Sequence, residues 1–536
     1  MLQVERQSSG SCTPSPRTPA DRGWSLDFSP AGRLGAMLMG AVLIAVLAPA
    51  TTFAAAYDPE TDPTSMASIT ADTGATLWWD AGYTGRGVDI ALIDTGVSPV
   101  EGLAASGQII YGPDLSLESQ QPDLTNLDTN GHGTFMAGLI AGRDPAMAAP
   151  YSSASASLYR GMAPDARIVS LKVAVADGGT DVSQVIAAVD WVVQHRNDNG
   201  LNIRVINLSY GTNSLQPSTV DPLSFAVEQA WKAGIVVVAA AGNTGYQIGA
   251  GAPGLADPAY NRFVIAVGGF DTMGTADVLD DHMGSYSASG GACGLPCKPP
   301  DFSAAGSHLQ GLRVPNGYVD MKYPGGLLGS RYLRGSGTSE ATAIASGSIA
   351  LLLQKYPELR PNQVKTFIKE WGLRPTTANE WTRKSAGAGE INLTAMAAAV
   401  PLSCCRQFWP AGTGTGTLEA ARGTDHLSID GVLLSGEQDI FGQVFDSAAM
   451  AGLEAQGNSW SGGTWNGNSW SGNSWSGSSW SGNSWSGSSW SGNSWSGSSW
   501  SGNSWSGSSW SGNSWSGNSW SGSSWSGNSW SGGPWD

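Results

Sequence analysis

Charged side chains are scarce in this chain, and most of them are acidic. Asp, Glu, Lys and Arg make up 13% of its 536 residues, and the formal net charge is −16. Nucleic acids and anionic membrane surfaces attract basic proteins. The composition therefore argues against either as a partner. The length allows one large α/β domain with additional segments.

The apolar run near the N-terminus is too short to cross a membrane. It covers residues 36–48, whereas a spanning helix needs about 20 apolar residues. Pro49 and the small residues at 54–56 follow it, which is the pattern of an export signal cleaved near Ala56. We therefore predict a leader and signal peptide over residues 1–56 and a secreted protein, with an uncleaved anchor as the alternative.

Cysteine is also rare, with five in the whole chain. Cys12 falls in the predicted leader, which leaves Cys293, Cys297, Cys404 and Cys405, and four cysteines allow three disulfide connectivities in an exported protein. A short Cys293–Cys297 loop is compatible with the spacing, and the adjacent pair suits bonds to different partners better than a strained bridge to each other. A zinc site is the alternative, and we assign no metal ligand.

A serine framed by small residues stands at the start of a predicted helix. Residues 333–347 read Leu-Arg-Gly-Ser-Gly-Thr-Ser-Glu-Ala-Thr-Ala-Ile-Ala-Ser-Gly, and an Ala/Leu-rich stretch follows. The unpaired N–H groups of a first helical turn favour negative charge developing beside them. Ser339 is therefore a candidate nucleophile, although the same pattern alone is more often a helix N-cap.

Two upstream segments contain the partners that a serine nucleophile needs, a base and a carboxylate that orients it. The segment 88–97 is an apolar β run that ends in Asp94 and a glycine turn. An acid at the carboxyl end of a buried strand lies where open α/β sheets place their sites. His132 lies between two glycines at the head of a second small-residue helix, predicted over 130–142.

The order Asp, His, Ser along the chain is the order found in subtilisin. Three segments carry it: Asp-Thr-Gly at 94–96, His-Gly-Thr at 132–134 and Gly-Thr-Ser-x-Ala at 337–341. In these segments the chain resembles the subtilisin-like serine peptidases, or subtilases. The resemblance implies a serine endopeptidase acting on polypeptides, with no cofactor required for the chemistry.

The resemblance also implies roles for individual residues. Ser339 would be the nucleophile, His132 the general base and Asp94 the group that orients it. Asn243, just past a predicted strand, would donate a hydrogen bond to the oxyanion. Calcium commonly stabilises the family, but no acidic cluster in this sequence marks a calcium loop.

A substrate-binding edge is implied by the same resemblance at Ser209, Tyr210 and Gly211. In the family, this segment pairs with an extended peptide by β-augmentation. The segment follows a predicted strand, so its backbone would extend that strand toward the site.

The hydrophobic pattern independently predicts an α/β fold. Apolar β-branched runs at 168–175, 205–209 and 235–240 alternate with amphipathic helices at 183–194 and 223–233. Such runs are typical of strands buried on both faces. We expect a doubly wound, mostly parallel sheet with helices on both faces, within a peptidase domain at 57–400.

Three residues depart from the family pattern. Ala343 replaces the usual Pro and should lengthen the helix, and Phe135 replaces a frequent second His, most simply as a packing change. Glu340 replaces Met directly after the serine. Pointing inward, its carboxylate would raise the pKa of the base and oppose the oxyanion, so we expect it to point away.

The segment between the predicted signal and the first strand is also unusual. Many secreted subtilases carry a folded pro-domain there, but only about 30 residues separate Ala56 from Val88, too few for such a domain. The sequence therefore leaves the control of folding and activation open.

The C-terminal part has a different composition. After a poorly patterned connector at 401–455, with a short β segment near 426–432, residues 456–536 repeat Trp-Ser-Gly-Asn/Ser-Ser, so 16 of the 24 tryptophans lie in this region. A period of five suits neither a strand nor a helix. We expect a low-complexity, flexible tail. The functional alternative is that its exposed indoles bind cell-wall polysaccharide or one another.

The sequence therefore predicts a secreted, monomeric serine endopeptidase, with attachment to the cell wall through its tail as a further hypothesis. The rival hypothesis, from a different class, is a catalytically impaired peptidase fold that serves as a cell-surface binding or adhesion module. Glu340 is the sequence feature in favour of that rival, whereas the filled positions 94, 132, 243 and 339 oppose it.

Overall fold

Eight strands of a mostly parallel sheet form the centre of the fold. The computed structural model describes residues 57–469 except 120, 122, 246–253, 291–297, 376–380, 402, 404, 430–431 and 462. The predicted signal peptide, Cys293, Cys297, Cys404 and the repeats beyond residue 469 lie outside the described residues. Within those that are described, no helix is both long and apolar enough to span a membrane.

The α-helices of the described residues are α1 Met66–Asp72, α2 Ala75–Asp80, α3 His132–Ala141, α4 Val182–His195, α5 Pro222–Lys232, α6 Tyr318–Lys322, α7 Thr338–Lys355, α8 Pro361–Glu370, α9 Arg383–Ala386, α10 Leu393–Ala398, α11 Leu418–Arg422 and α12 Ser447–Glu454. The strands are β1 Asp89–Asp94, β2 Ile109–Tyr111, β3 Arg167–Lys172, β4 Ile203–Leu208, β5 Val236–Ala240, β6 Ile265–Asp271, β7 His282–Met283, β8 Phe302–Ala305, β9 Leu309–Leu312, β10 Leu327–Leu328, β11 Tyr332–Gly335, β12 Ser428–Ile429, β13 Val432–Leu433, β14 Trp460–Ser461, β15 Thr464–Trp465 and β16 Asn468–Ser469.

The main sheet has the order β2-β3-β1-β4-β5-β6-β7, and β8 also pairs with β6. All of its pairs are parallel except β6–β7. After β1 the chain adds strands on one side, and from β4 onward it adds them on the other. The sheet therefore has its topological switch point between β1 and β4, where open α/β sheets place their sites at the carboxyl ends of the strands.

Two buried helices lie against this sheet and against each other. Every residue of α7 from Thr338 to Leu353 is buried, and so are nine of the ten residues of α3, from Gly133 to Ala141. A helix that is apolar or small on all sides belongs in a core. Helices α4 and α5 pack against each other and cover β1 and β5.

The structure confirms the predicted fold class and the order of strands and helices. The runs predicted at 168–175, 205–209 and 235–240 form β3, β4 and β5, and the predicted helices form α4 and α5. Helix α7 continues through Ala343 without interruption, as expected for Ala in place of Pro. The short β segment predicted near 426–432 is the β12–β13 hairpin.

The predicted connector packs against the peptidase domain. Arg422 of α11 forms a fully buried ion pair with Asp181, which caps α4, at 2.6 Å. Thr413 donates its backbone N–H to the carbonyl of Thr219, which precedes α5, at 2.7 Å. The connector therefore packs on the peptidase domain and supplies a charge partner, Arg422, for the buried Asp181.

The first repeats of the tail form a small antiparallel sheet. Trp460 lies opposite Trp465 in register, and β15 then pairs with β16. The turn between β15 and β16 is Asn466-Gly467, with φ of 47° and 78°. Asn-Gly with both residues left-handed is the preferred two-residue hairpin turn, because its twist matches that of the strands.

Both tryptophans of this sheet are buried against α4. Trp465 donates its indole N–H to a carboxylate oxygen of Asp190 at 2.8 Å, and Trp460 donates to the carbonyl of Ala187 at 2.9 Å. Trp465 is only 1% exposed. The expectation of a flexible tail from residue 456 onward is therefore wrong for residues 460–469, because two-residue strands and turns bring successive indoles to the same face.

Replacement of Trp465 by Ala should strongly destabilise the domain. The change empties a buried site and leaves Asp190, whose pKa burial raises to about 7, without its indole donor. We expect the free energy of unfolding to fall by about 3–5 kcal/mol. Chemical denaturation measures this, with Trp371→Ala, at a side chain 39% exposed, as the matched control. An equal loss in both variants would contradict the packing role of Trp465.

Candidate active site

Asp94 is the last residue of the central strand β1 and is buried, with 6% exposure. Its Oδ1 lies 2.7 Å from Nδ1 of His132. The backbone N–H of Thr95 donates to the same oxygen at 2.8 Å. The parallel strands on both sides hold β1 in place, so the carboxylate is fixed toward the histidine.

His132 is the first residue of α3, and the loop before it is held by side-chain hydrogen bonds. The carboxylate of Asp128 accepts the backbone N–H groups of Gly131 and Thr134, each at 2.7 Å. Asn130 accepts the N–H of His132 at 3.1 Å. These bonds satisfy donors that a helix N-terminus leaves unpaired, and they fix the position of the imidazole.

The loop after Asp94 approaches the start of α3 so closely that only glycine fits at position 133. A β-carbon on Gly133 would lie 2.1 Å from the carbonyl oxygen of Gly96. The N–H of Gly133 also donates to the hydroxyl of Thr95 at 2.8 Å. The Asp-Thr-Gly and His-Gly-Thr segments are therefore packed directly on each other.

The surroundings of His132 favour its protonated form. Burial works to lower the pKa of the imidazole, but the charge of Asp94 and the hydrogen bond to it outweigh burial, so the pKa is raised. An imidazole held by a carboxylate at one nitrogen is suited to accept a proton at the other.

Ser339 lies in the first turn of α7 and is 2% exposed. The hydroxyl of Ser209 donates to its carbonyl at 3.2 Å, which links the end of β4 to α7. Among the described residues, Nε2 of His132 has no hydrogen-bond partner, so the bond between the imidazole and the Ser339 hydroxyl is not formed in this structure. Such bonds are often long without substrate and tighten in the reacting complex.

Asn243 follows β5 and the left-handed Gly242, whose φ is 107°. Its Oδ1 accepts two hydrogen bonds from Thr338, one from the backbone N–H at 3.0 Å and one from the hydroxyl at 2.9 Å. The hydroxyl in turn accepts the N–H of Gly242 at 3.1 Å. Because these bonds occupy its oxygen, the amide of Asn243 is left to donate through Nδ2.

The segment Ser209, Tyr210 and Gly211 continues from the end of β4. In the described part of the chain, the backbone groups of Tyr210 and Gly211 form no hydrogen bonds. A β-carbon on Gly211 would lie 2.7 Å from that of Ala256, so only glycine fits there without a shift. An unpaired extended backbone of this kind can accept another strand.

Glu340 does not point into solvent. It is 8% exposed, and its carboxylate folds back over the backbone of Gly335 and Gly337, whose β-carbons would lie 2.5 and 2.8 Å from its two oxygens. The expectation that Glu340 points away is therefore wrong. The physical reason is packing, because α7 is buried on all sides and offers this position no route to solvent.

Phe135, one turn after His132, packs as predicted. It is 5% exposed, and its ring lies against Gly311, where a β-carbon would come within 2.4 Å. The ring also approaches Gly335, so it occupies space between α3 and the start of α7. Phe135 is therefore a core residue at the edge of the site.

Sequence reasoning missed Thr338, which orients Asn243, and Asp128, which organises the start of α3. For Asp128 a signal was present, because an acid followed by Thr-Asn-Gly before a helix is typical of capping. For Thr338 no local signal exists, since its partner lies 95 positions away.

Metal ligands and disulfides receive no assignment from the structure. No group of three or more His, Cys, Asp or Glu side chains that could hold a metal ion occurs among the residues described. Of the four cysteines considered for disulfides, Cys405 alone lies within them.

The sequence model of the subtilase family matches residues 85–385 of this chain. This match covers more than half of the chain and includes all the residues of the site. The chain belongs to the subtilase family. It is a serine-type endopeptidase with the subtilisin-like α/β fold predicted from its sequence.

Known subtilases resemble this one over the same region. It is 36% identical over 315 residues to serine protease AprX of Bacillus subtilis strain 168, a match covering 58% of this chain and 66% of AprX. It is 32% identical over 317 residues to subtilisin DY of Bacillus licheniformis, covering 59% and 93% respectively. A third relative, minor extracellular protease Epr of Bacillus subtilis strain 168, is 29% identical over 54% of this chain and 36% of its own length.

Thr338→Val should impair turnover by releasing Asn243. The change removes one of the two donors to Oδ1 and the acceptor for Gly242. We expect kcat to fall about tenfold, the equivalent of about 1.4 kcal/mol, with KM little changed. Steady-state kinetics on a peptide substrate measures this.

The matched control is Thr342→Val on the same buried helix face. Its hydroxyl donates to the carbonyl of Thr338 and not to Asn243. Equal losses of kcat in the two variants would contradict an orienting role for Thr338.

Proposed function

We propose that this subtilase is a secreted endopeptidase that hydrolyses peptide bonds through Asp94, His132 and Ser339. The observation that carries the proposal is the imidazole of His132, which Asp94 holds at 2.7 Å through Nδ1 while its buried Nε2 remains unpaired among the described residues. Helix α7, whose first turn contains Ser339, packs against α3, and a helix N-terminus favours negative charge.

In the proposed mechanism, the hydroxyl of Ser339 attacks the carbonyl carbon of the scissile bond. Its proton passes to Nε2 of His132, and Asp94 stabilises the imidazolium that forms. The peptide C–N bond then breaks, and His132 returns the proton to the leaving amine. Water, activated by the same imidazole, hydrolyses the acyl-enzyme and restores Ser339.

Asn243 and the backbone N–H of Ser339 are proposed to bind the oxyanion of the tetrahedral intermediates. The two bonds from Thr338 direct the Asn243 amide. A preorganised donor of this kind contributes about 10²–10³ to kcat in subtilisin. Ser209, Tyr210 and Gly211 are proposed to align an extended substrate, supported by the unpaired backbone at Tyr210 and Gly211. The proposed chemistry uses no cofactor.

Secretion is proposed from the export pattern in residues 1–56. A relative named as an extracellular protease supports it. We further propose that the Trp repeats hold the enzyme at the cell wall, because many exposed indoles without a partner are unfavourable in water. The rival hypothesis of a catalytically impaired binding module is not favoured, since the named relatives are proteases.

Ser339→Ala should abolish both peptide hydrolysis and labelling by a serine-directed fluorophosphonate. The nucleophilic oxygen is then absent, and we expect kcat to fall by at least about 10³. Ser348→Ala is the matched control, because that serine lies on the same helix and its hydroxyl only donates to the carbonyl of Ile344. A folded Ser339→Ala enzyme that still hydrolyses peptides would exclude the proposed nucleophile.

Deletion of residues 470–536 should leave peptide hydrolysis intact and weaken retention on isolated cell walls. The truncated chain keeps Trp460 and Trp465, which pack on α4, so its domain should remain folded. Co-sedimentation with purified walls measures retention. Unchanged retention of the truncated enzyme would reject the adhesive role of the repeats.

A further inference from the structure

Glu340 places a carboxylate directly beside the proposed reacting groups. It follows Ser339 in the first turn of α7, and its oxygens lie over Gly335 and Gly337. A β-carbon on Gly337 would lie 2.8 Å from one of these oxygens and 3.2 Å from Nδ2 of Asn243. The carboxylate oxygen is therefore within about 6 Å of Nδ2 of Asn243, the proposed oxyanion donor, and Glu340 is buried rather than on an outer face of the helix.

Two other buried carboxylates of the domain have basic partners. Glu118 pairs with the buried Lys172, and Asp301 pairs with Lys298 at 2.9 Å. Within the described residues, Glu340 forms no ion pair with Lys or Arg and no side-chain hydrogen bond to another residue. A buried carboxylate without a cation is costly. A neighbouring group that can acquire positive charge would therefore stabilise it.

The titratable groups that face Glu340 come from three elements. They are His132 of α3, Asp94 of β1 and Tyr286 of the segment between β7 and β8. Only His132 can carry a positive charge. The charges of Asp94 and Glu340 both raise the pKa of this imidazole.

We propose that Glu340 is a positioning residue that stabilises the protonated form of His132 through its charge, so that the enzyme becomes active only at a higher pH than its triad alone would give. This inference rests on the proposed triad. The contact of Glu340 with the loop at 335–337 holds the carboxylate beside the segment that leads into Ser339. The proposal therefore assigns a role to the residue at which this chain departs from its family.

The charge effects have a definite sign. Burial raises the pKa of Glu340, and the charge of His132 opposes that rise. The Glu340 carboxylate in turn raises the pKa of His132, although less than Asp94 does. The imidazole must be neutral to accept the serine proton. A higher pKa of the imidazole moves the acid limb of kcat/KM to higher pH.

The same carboxylate has two opposite effects on the rate above that limb. It stabilises the imidazolium that forms in the transition state, and it repels the oxyanion near Asn243. These contributions offset each other in part. Removal of the charge should therefore shift the pH profile more than it changes the plateau.

The test is the pH dependence of kcat/KM for Glu340→Gln compared with the wild-type enzyme. We expect the acid limb to move down by about 0.5 pH unit or more, about a threefold change in the acid dissociation constant of the imidazolium, with the plateau changed less than about threefold. Glu358→Gln, an exposed position just after the same helix, is the matched control and should not move the limb.

A second readout measures the imidazole without turnover. A peptide chloromethyl ketone alkylates neutral His132, so the pH dependence of inactivation reports its pKa directly. Glu340→Met, with the residue usual in the family, should give the same downward shift as Glu340→Gln. Gln keeps hydrogen-bonding groups at this position and Met does not, whereas both remove the charge. A shift shared by the two variants is therefore due to the charge of Glu340.

The outcomes separate the inference from the proposed triad. If the ketone fails to modify His132 in the folded wild-type enzyme, the triad itself is wrong. If His132 is modified but both Glu340 variants keep the wild-type limb or shift it upward, the electrostatic role is wrong and the triad stands. If neither variant folds, Glu340 acts in packing and the inference is overturned.

Discussion

The hydrogen bond between Asp94 and His132 is the interaction on which the rest of the site depends. It joins the carboxyl end of the central strand to the first residue of α3 at 2.7 Å. One end of this bond is held by the parallel strands beside β1, and the other by the side chains that organise the loop before α3. The imidazole of His132 is therefore oriented without substrate, which is the preorganisation that the proposed general base catalysis needs.

The second constraint is the burial of α7. This helix lies inside the domain, so the residues that open it must be small or must find partners within the protein. Ser339 is held by Ser209 through its carbonyl, and Thr338 is held by Asn243. The same burial turns Glu340 inward. The helix that brings the proposed nucleophile to the sheet thus also brings a carboxylate, to which we attribute an effect on the imidazole.

Much of the fold could be predicted from sequence because its signals are local. Runs of β-branched residues predicted β3, β4 and β5, and glycine-rich turns predicted the helix starts near His132 and Ser339. The direction of Glu340 could not be predicted in this way, because it depends on what surrounds α7. The pairing of Thr338 with Asn243 likewise joins segments that are far apart in sequence. The packing of Trp460 and Trp465 depends on α4, which the five-residue period does not indicate.

One of the two hydrogen bonds of the proposed triad is formed in this structure and the other is not. The contact between Asp94 and His132 is formed, whereas Nε2 of His132 has no partner among the described residues. A peptide carbonyl must enter between Ser339 and Asn243 for the proposed chemistry to proceed. The proposed triad therefore needs a further adjustment that brings Nε2 of His132 and the Ser339 hydroxyl within hydrogen-bond distance.

The most direct measurement is a crystal structure of the enzyme with a peptide boronic acid, which forms a tetrahedral adduct resembling the intermediate. The account predicts a covalent bond from boron to the Ser339 oxygen, one boron oxygen within hydrogen-bond distance of Nδ2 of Asn243, and Nε2 of His132 within about 3 Å of the adduct. An adduct on another residue, or a Ser339 adduct whose oxygens face away from both Asn243 and His132, would contradict it.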